Sequence, residues 1–261
     1  KLIKQENLKE FDKSAIAHLM EISAIITGSQ NKLSLRFSKI ADIAREASFW
    51  ATDDGFNIVS AAHIEKAYQL SRERHGMLED KVTEMYENKT MLIDTDGERV
   101  GQINGLAVYG NDLFSFGKPT RITSAVAIGN GAIVNVEREA GMSGKTYDKG
   151  ILIISGFFRE TFGQNFPLSF SATLVFEQSY GMIDGDSASA AEIIVLLSTL
   201  SDIPVKQYFA ITGSVNQKGD IQPIGGVNEK IEGFYDTCVL KGLNGKQGVV
   251  IPAQNIRDLM L

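Results

Sequence analysis

The feature that most constrains this fold is an apolar segment beginning at Ser187 and running to Leu200. The four residues before it, 183–186, favour a turn, and Ser187 opens a run of helix formers. Apolar side chains occur on nearly every side of the predicted helix, at Ala190, Ile193, Ile194, Leu196, Leu197 and Leu200. A helix with this pattern is buried. We therefore interpret the rest of the chain as a scaffold around it.

Ser187 lies where this buried helix presents free backbone N–H groups and the positive end of its dipole. Such a position suits an oxyanion, because developing negative charge meets donors that are already in place. A serine here is also the usual N-cap of a helix, and this simpler interpretation stays open.

A serine hydroxyl needs a base before it becomes a good nucleophile. The three histidines, His18, His63 and His75, all lie in the first third of the chain, and Cys238 is its one cysteine. A Ser-His-Asp triad or a Cys-His pair within the domain that carries Ser187 is therefore excluded, unless the N-terminal segment reaches into it.

Lysine is the remaining base, and Lys230 is placed for the role. A second predicted helix starts near Val227, with an apolar stripe at Val227, Ile231, Phe234 and Cys238. Lys230 lies about 60° from Val227 around that helix, at the edge of the stripe. Its polar neighbours point away, namely Asn228, Glu229 and Glu232. We expect desolvation to lower the pKa of Lys230. Alternatively, its stem covers apolar surface while its amine reaches water.

Several separated motifs around these residues resemble one protease family. They are Asp184-Gly185-Asp186-Ser187-Ala188-Ser189, then Thr212-Gly213-Ser214, then Pro223 to Glu232, and Lys230 follows Ser187 by 43 residues. Over residues 97–261 the chain resembles the proteolytic domain of Lon proteases, in the form of the archaeal B-type branch and its bacterial relatives. Gly105 to Val108 resembles the first strand of that domain.

The resemblance implies a serine endopeptidase with Ser187 as nucleophile and Lys230 as general base. It implies that Thr212 holds the lysine by a hydrogen bond, and that Asp184, Gly185 and Asp186 line the site. We expect an acyl-enzyme mechanism without a metal or other cofactor, ATP and Mg²⁺ being needed only by an ATPase module upstream. The expected substrate is unfolded or extended polypeptide, and the expected assembly is a homo-oligomeric, hexameric ring.

Composition agrees with a soluble globular protein. The 261 residues are 43% hydrophobic and 22% charged, and the net charge of −6 favours neither nucleic acid nor an anionic membrane as a partner. We expect no signal peptide, the printed sequence has no apolar run of transmembrane length, and the single cysteine fits a reducing cytoplasm. Because the chain starts at Lys1 within a helical pattern, we expect it to be part of a longer protein.

Residues 1–93 are predicted to form a helical bundle. One helix ends near Thr27-Gly28, a second covers Phe37–Trp50, and a third is capped by Ser60. The segment resembles the lid subdomain of the ATPase module that precedes the protease in Lon. In such lids an arginine often senses nucleotide, and Arg36 is the nearest candidate, although we favour a solvated surface arginine at this position. The histidines are predicted at the surface or half-buried, with no metal-binding spacing.

Residues 94–261 are predicted to form a mixed α/β proteolytic domain, so that the whole chain is α+β. Strand patterns cover 101–108, 120–128, 132–136, 168–176, 207–212 and 248–251. Residues 129–131 predict a tight turn that pairs the second strand with the third. The apolar run Ile151 to Ser155 stands among the strand signals, and a helix is predicted around 156–165.

Residues 141–146 end like a phosphate-binding loop, but Glu139 replaces the first required glycine. No helix is predicted after them, so we reject a nucleotide site and expect no ATP hydrolysis by this chain.

Two alternatives to the peptidase remain. Residues 185–189 could cradle a phosphate at a helix N-terminus, as in small-metabolite kinases, although Asp184 and Asp186 would repel it. The chain could also be an assembly or substrate-holding module with a dormant site.

Overall fold

The computed structural model describes residues 1–110 and 114–260 of the chain. Its helices are α1 (Leu2–Glu6), α2 (Lys13–Thr27), α3 (Phe37–Asp53), α4 (Ala61–His75), α5 (Met77–Glu87), α6 (Val136–Glu139), α7 (Lys145–Phe162), α8 (Ser189–Ser201) and α9 (Val227–Lys241). Within this described part, no helix has both the length and the apolarity that crossing a membrane requires.

The strands alternate with these helices along the chain. They are β1 (Glu10–Phe11), β2 (Ile58–Val59), β3 (Glu98–Arg99), β4 (Gln102–Gly110), β5 (Ser115–Ile128), β6 (Ile133–Asn135), β7 (Phe170–Phe176), β8 (Val205–Lys206), β9 (Phe209–Ile211), β10 (Ser214–Val215), β11 (Ile221–Gln222) and β12 (Gly248–Val250). A 3₁₀ helix covers Ala253–Asp258.

The chain divides into two compact units, and the division falls between Asp80 and Lys81. The first unit contains residues 1–80, together with Phe114 and 257–260, and the second contains 81–110 and 115–256. The boundary between residues 93 and 94, proposed above on composition and resemblance, stays a prediction.

The first unit is helical, as its sequence pattern predicts. Helix α2 begins after Asp12, whose carboxylate accepts a hydrogen bond from the Ala15 N–H (2.8 Å), and it ends at Gly28 with φ of 61°. Ser60 stands immediately before α4, and its N–H donates to Nδ1 of His63 (3.0 Å). His63 is 5% exposed, so the prediction of a surface or half-buried histidine is wrong at this position.

The core of the first unit comes from the inward faces of α2, α3 and α4. It contains Ala15, Ile22, Ile43, Ala47, Ala51, Val59, Ile64 and Ala67. Arg36 precedes α3 and is exposed, and its role in sensing nucleotide stays a prediction.

A sheet of six strands in the order β12-β9-β4-β5-β7-β6 organises the second unit. β5 pairs antiparallel with β4 and β7, whereas β9 pairs parallel with both β4 and β12. The antiparallel strands come first in the chain and strand–helix alternation follows, as the sequence pattern predicts. The α+β fold class with a mixed α/β second part is confirmed.

The predicted hairpin between β5 and β6 is wrong. β6 pairs in parallel with β7, with Ile133 opposite Ala172, and β7 lies between β6 and β5 in the sheet. The turn residues Gly129-Asn130-Gly131 were identified correctly as a break between strands. The error arose because a turn signal reports where the chain reverses and not which strand becomes its neighbour.

The assignment of residues 145–162 also needs correction. The apolar run Ile151 to Ser155, which stood among the strand signals, lies within α7, and this helix begins at Lys145, well before the predicted residue 156. Ile151 and Ile154 are buried on one face of α7, and Leu152 is 57% exposed on another. The run is therefore the buried stripe of an amphipathic helix.

Helix α8 is buried as predicted, within the main core of the second unit. Ala191, Val195 and Leu196 on α8 are each 0% exposed, and the same core includes residues of β4, β5, β7 and α7. Phe234 and Cys238 of α9 form a separate hydrophobic cluster with Leu106 of β4 and Ala210 of β9. Ser187 lies just before α8, and Lys230 lies on α9.

Candidate active site

Ser187 lies in the turn that leads into α8. The helix begins at Ser189, two residues later than predicted. The carbonyl of Ser187 accepts hydrogen bonds from the Gly213 N–H (2.7 Å) and the Thr212 hydroxyl (3.1 Å). These two bonds fix the backbone of Ser187 against the chain that leaves β9.

Lys230 lies in the first turn of α9, which begins after Gly226. Its side chain is among the largest fully buried ones, and the residue is 2% exposed. Nζ of Lys230 donates to Oγ of Ser187 at 2.8 Å and to Oγ1 of Thr212 at 3.1 Å. Val227 and Phe234, which lie on the same face of α9 as Lys230, are buried, whereas Ile231 is only partly buried. The buried stripe is therefore centred closer to Lys230 than the sequence pattern predicts.

Burial lowers the pKa of Lys230 to about 8. The carboxylates of Glu229 and Asp186 act in the opposite direction, because negative charge nearby favours the ammonium form. A lysine with such a pKa has a substantial neutral fraction near neutral pH, and the neutral amine is the form that accepts a proton.

Asp184 and Asp186 are held away from the Ser187–Lys230 hydrogen bond. Oδ1 of Asp184 accepts hydrogen bonds from the N–H groups of Gly185 (2.8 Å), Thr146 (3.1 Å) and Tyr147 (3.1 Å), which lower its pKa. Asp184 therefore caps the N-terminus of α7.

Asp186 accepts a hydrogen bond from the Ser214 hydroxyl at 2.8 Å. Of the predicted lining residues, Thr212 contacts Lys230 directly. Asp184 and Gly185 line the adjoining cavity, and Asp186 acts on Lys230 through its charge.

The cap on α7 corrects the analysis of residues 141–146. A helix does follow them, so one of the two reasons for rejecting a phosphate site is wrong. The carboxylate of Asp184 occupies the N–H groups that a phosphate would use at this helix end. Glu139 in place of glycine remains the second reason.

A cavity of 570 Å³ opens beside the two residues. Both Ser187 and Lys230 line it, together with β4 from Leu106 to Gly110 and apolar side chains that include Phe176 and Ile183. Over its whole length β4 pairs with β5, but it pairs with β9 only at Asn104 and Gly105. The sheet therefore opens after Gly105 on the side of β9, and backbone groups of β4 border the cavity.

The amide groups at Ser187 complete the polar part of the site. Among the described residues, the N–H groups of Ser187 and Ala188 donate to no other group, while the Ser189 N–H donates to the carbonyl of Asp186 (3.1 Å). Two free donors beside the hydroxyl are the kind of group that can bind an oxyanion.

Glycines allow α9 to approach the sheet closely. A Cβ at Gly226 would lie 2.6 Å from Val108 of β4, and one at Gly225 would meet nothing within 4 Å. The backbones of α9 and β5 also approach each other at Gly233 and Gly117, where a Cβ on Gly233 would lie 2.0 Å from the Gly117 carbonyl oxygen.

Sequence reasoning missed Tyr147 and Glu192, and its prediction that Glu229 points away is wrong, because Glu229 lines the cavity beside Lys230. Tyr147 also lines the cavity, and Glu192 is 1% exposed on α8. A signal was available for Glu192, since it is the one charged residue within an otherwise apolar run. Nothing local distinguishes Tyr147. Within the described ranges, no group of three or more His, Cys, Asp or Glu residues could hold a metal ion.

Comparisons with known proteins match both parts of the chain. Residues 10–74 match the family model of the archaeal LonB AAA+ ATPase LID domain, and residues 180–260 match that of the Lon protease (S16) C-terminal proteolytic domain.

Individual relatives extend these matches along the chain. A Lon protease homolog of Escherichia coli K12 is 41% identical over 93% of this chain and 41% of its own length, and one of Haemophilus influenzae is 40% identical over 98% and 43%. An archaeal Lon protease of Archaeoglobus fulgidus is 30% identical over 100% of this chain and 40% of its own. The chain thus spans about two-fifths of the length of these relatives.

The matched segments include the lid-like helices at one end and the Ser187 and Lys230 motifs at the other, as the resemblance in sequence predicts. Over nearly its whole length, the chain is therefore similar to Lon proteases.

Proposed function

We propose that this chain carries a serine endopeptidase site in which Ser187 is the nucleophile and Lys230 the general base. The observation that carries the proposal is the 2.8 Å distance from Nζ of Lys230 to Oγ of Ser187. Lys230 is only 2% exposed, so this contact is shielded from water. This distance lies within the hydrogen-bond reach expected between a nucleophile and its base.

The reaction proceeds in two halves. Neutral Lys230 takes the proton of the Ser187 hydroxyl as Oγ attacks the carbonyl carbon of the scissile peptide. The resulting oxyanion accepts hydrogen bonds from the N–H groups of Ser187 and Ala188. The Lys230 ammonium then gives its proton to the departing amine, leaving an acyl-enzyme on Ser187. Water, deprotonated by Lys230, attacks that ester and releases the acid and the free serine.

The hydroxyl of Thr212 supports this cycle from the other side of the amine. It accepts from Lys230 Nζ at 3.1 Å and donates to the Ser187 carbonyl at 3.1 Å. Nζ is thereby directed at Oγ of Ser187 whether or not it carries the extra proton.

The substrate in this proposal is an unfolded or extended polypeptide. The edge of β4 from Leu106 to Gly110 borders the cavity without pairing to β9, so a peptide can add there as a strand beside Ser187. Such binding depends on hydrogen bonds to the peptide backbone and not on particular side chains, which suits a wide range of substrates. In line with the family, we propose that the working assembly is a homo-oligomeric ring in the cytoplasm and that this chain itself uses no cofactor.

Two substitutions test the proposal with controls on the same helices. Ser187→Ala and Lys230→Ala are each expected to lower peptide cleavage at least about 1,000-fold while the circular dichroism spectrum stays unchanged. Ser201→Ala on α8 and Lys241→Ala on α9 alter exposed residues and are expected to leave cleavage within about twofold. Near-full activity in either site variant would refute the mechanism.

A fluorophosphonate probe separates an active site from a dormant one. The proposal predicts covalent labelling of Ser187 in the intact chain and no labelling in Lys230→Ala. Failure to label Ser187 in the folded protein would favour a substrate-holding module instead.

A further inference from the structure

Glu192 is a buried acid that the proposed reaction does not use. It lies on α8, is 1% exposed, and has mainly apolar neighbours on that helix. Burial raises its pKa to about 7, although the hydrogen bond from Tyr147 acts to lower it, and the Glu137 carboxylate adds to the rise. A buried carboxyl group is costly unless it is well bonded, and an apolar side chain of similar volume is often at least as stable.

Hydrogen bonds connect Glu192 to four other elements of the second unit, namely α7, β6, α6 and β7. The Tyr147 hydroxyl on α7 donates to Oε1 of Glu192, and Nδ2 of Asn135 donates both to the Tyr147 oxygen (2.6 Å) and to Oε2 of Glu137 (2.9 Å). Oε1 of Glu137 accepts from the Phe176 N–H (2.8 Å). The network therefore runs from β7 through α6, β6 and α7 to α8.

Tyr147 holds the nucleophile segment on both sides of Ser187. Its N–H donates to Asp184 (3.1 Å), before the serine, and its hydroxyl donates to Glu192, after it. Its ring lines the cavity and packs edge-to-face on Phe176, with centroids 5.7 Å apart at 76°. One residue, through its backbone N–H at one end and its side-chain hydroxyl at the other, thus joins both ends of the segment from Asp184 to Glu192 to the start of α7.

We propose that Tyr147 and Glu192 are positioning residues that keep Ser187 within hydrogen-bond reach of Lys230. This inference rests on the proposed function, because positioning has a catalytic effect only if the two residues form the dyad. Small displacements of a nucleophile from its base reduce rates strongly, even when the fold is intact.

Tyr147→Phe is the sharpest test, since it removes one hydroxyl and little volume. We expect kcat to fall about tenfold with KM within twofold. Tyr86→Phe is the matched control, because the Tyr86 hydroxyl is also buried and donates to a backbone carbonyl, that of Pro119, outside the cavity lining. Its kcat is expected to stay within twofold. A purely structural role for Tyr147 predicts similar effects on kcat from both variants, and that result would overturn the inference.

Variants of Glu192 provide a rescue experiment. Glu192→Gln keeps an oxygen that accepts from Tyr147, so kcat is expected to stay within about threefold of the unsubstituted chain. Glu192→Leu removes the acceptor and is expected to lower kcat at least about tenfold further, although the folded protein gains an apolar contact. Equal kcat in the two variants would contradict the proposal.

A crystal structure of Tyr147→Phe tests positioning without any turnover. We expect the distance from Nζ of Lys230 to Oγ of Ser187 to lengthen beyond hydrogen-bond reach, from 2.8 Å. An unchanged distance overturns the positioning role, whether or not the chain cleaves peptides. Activity that survives in Ser187→Ala would instead refute the dyad itself, so the two failures are distinguishable.

Discussion

At Lys230 the requirements of stability and of chemistry oppose each other. The residue is 2% exposed, and burial lowers its pKa to about 8. A charged amine would be more stable in water, but a hydrated amine would be a poor base at neutral pH. The Glu229 and Asp186 carboxylates partly offset the effect of burial, so they help to set the pH at which the base becomes neutral.

The first prediction concerns the pH dependence of cleavage. Because neutral Lys230 is the active form, kcat/KM is expected to rise with pH through about 8. Glu229→Gln removes a charge that raises the pKa of Lys230, so the rise should move to lower pH. Glu232→Gln, at an exposed position on the same helix, is the control and should leave the profile in place. A shift of the Glu229→Gln profile to higher pH would contradict the assignment.

The second prediction concerns stability. The folded state lowers the pKa of Lys230 from 10.5 to about 8, so it binds this proton less tightly than the unfolded state. Below pH 8 the buried ammonium therefore costs about 3 kcal/mol, and this cost disappears as pH rises toward 10.5. Lys230→Met is expected to raise the free energy of unfolding at pH 7 by about that amount while abolishing cleavage.

Denaturant titrations at several pH values check the Lys230→Met prediction. The gain should shrink steadily between pH 8 and pH 10.5, where the unsubstituted lysine is neutral in both states. Lys241→Met, on the exposed side of α9, is the control and should show no such trend. A Lys230→Met protein that is less stable at pH 7 would mean that the lost hydrogen bonds to Ser187 and Thr212 outweigh the cost of the buried charge.

How far the sequence predicts the site depends on the range of the interactions. Ser187 and Lys230 could be chosen as candidates because two features can be read from the sequence itself: no histidine follows His75, and the apolar residues near both candidates have helical spacing. The contribution of Tyr147 could not, since it depends on a hydroxyl that meets a carboxylate 45 residues away. Asp184 lines the cavity, and its hydrogen bonds to the start of α7 were equally beyond local patterns.

Between the elements, the contact of α9 with β5 determines where Lys230 lies. A Cβ on Gly233 would lie 2.0 Å from the Gly117 carbonyl oxygen, and one on Gly117 would lie 1.9 Å from the Glu229 carbonyl oxygen. These obstacles are backbone atoms, so neither strand nor helix can accommodate a methyl group by rotating a side chain. The two glycines therefore determine how closely α9 packs against the sheet.

The third prediction follows from this contact. Gly233→Ala must move α9 away from β5, which is expected to lower the free energy of unfolding by about 1–3 kcal/mol through overpacking. It should also lower kcat at least about tenfold, because Lys230 moves with the helix. Thermal unfolding and peptide cleavage, measured on the same preparation, check both effects.

Gly181→Ala serves as the control for Gly233→Ala. A Cβ at Gly181 would meet nothing within 4 Å, so both stability and kcat should stay close to those of the unsubstituted chain. If Gly233→Ala lowers stability but leaves kcat unchanged, the position of α9 does not limit the reaction.

Helices and strands were predicted well where their bounds depend on neighbouring residues in the sequence. They were predicted poorly where a residue or strand far along the chain determines a helix start or a strand pairing. The alternation of residues 168–176 identified β7, Gly28 marked the end of α2, and Ser60 marked the start of α4. The start of α7 was missed because its cap comes from Asp184, far along the chain. The pairing of β6 with β7 was missed because parallel strands leave no turn signal between them.

Across the whole chain, each compact unit contains a hydrophobic core of its own. The family matches follow the same arrangement, with the LID model confined to residues 10–74 and the proteolytic model to residues 180–260. The residues that form the Ser187–Lys230 site and its positioning network all lie in the second unit. Peptide cleavage is therefore expected to need no side chain of the lid-like helices for its chemistry.

The fourth prediction is that ATP has no effect on cleavage by this chain alone. Residues 141–146 resemble a phosphate loop, but Glu139 stands in place of glycine and the Asp184 carboxylate already occupies the N–H groups at the start of α7. Nucleotide would have to displace a carboxylate bonded to three backbone donors, and its own negative charge would meet Asp186 nearby. Calorimetry should detect no ATP binding to the chain, and the rate of cleavage of a short unstructured peptide should change by less than twofold when ATP and Mg²⁺ are added. A rate increase of more than about fivefold, with phosphate release, would mean that the chain contains a nucleotide site which the motif analysis and the geometry at α7 both fail to identify.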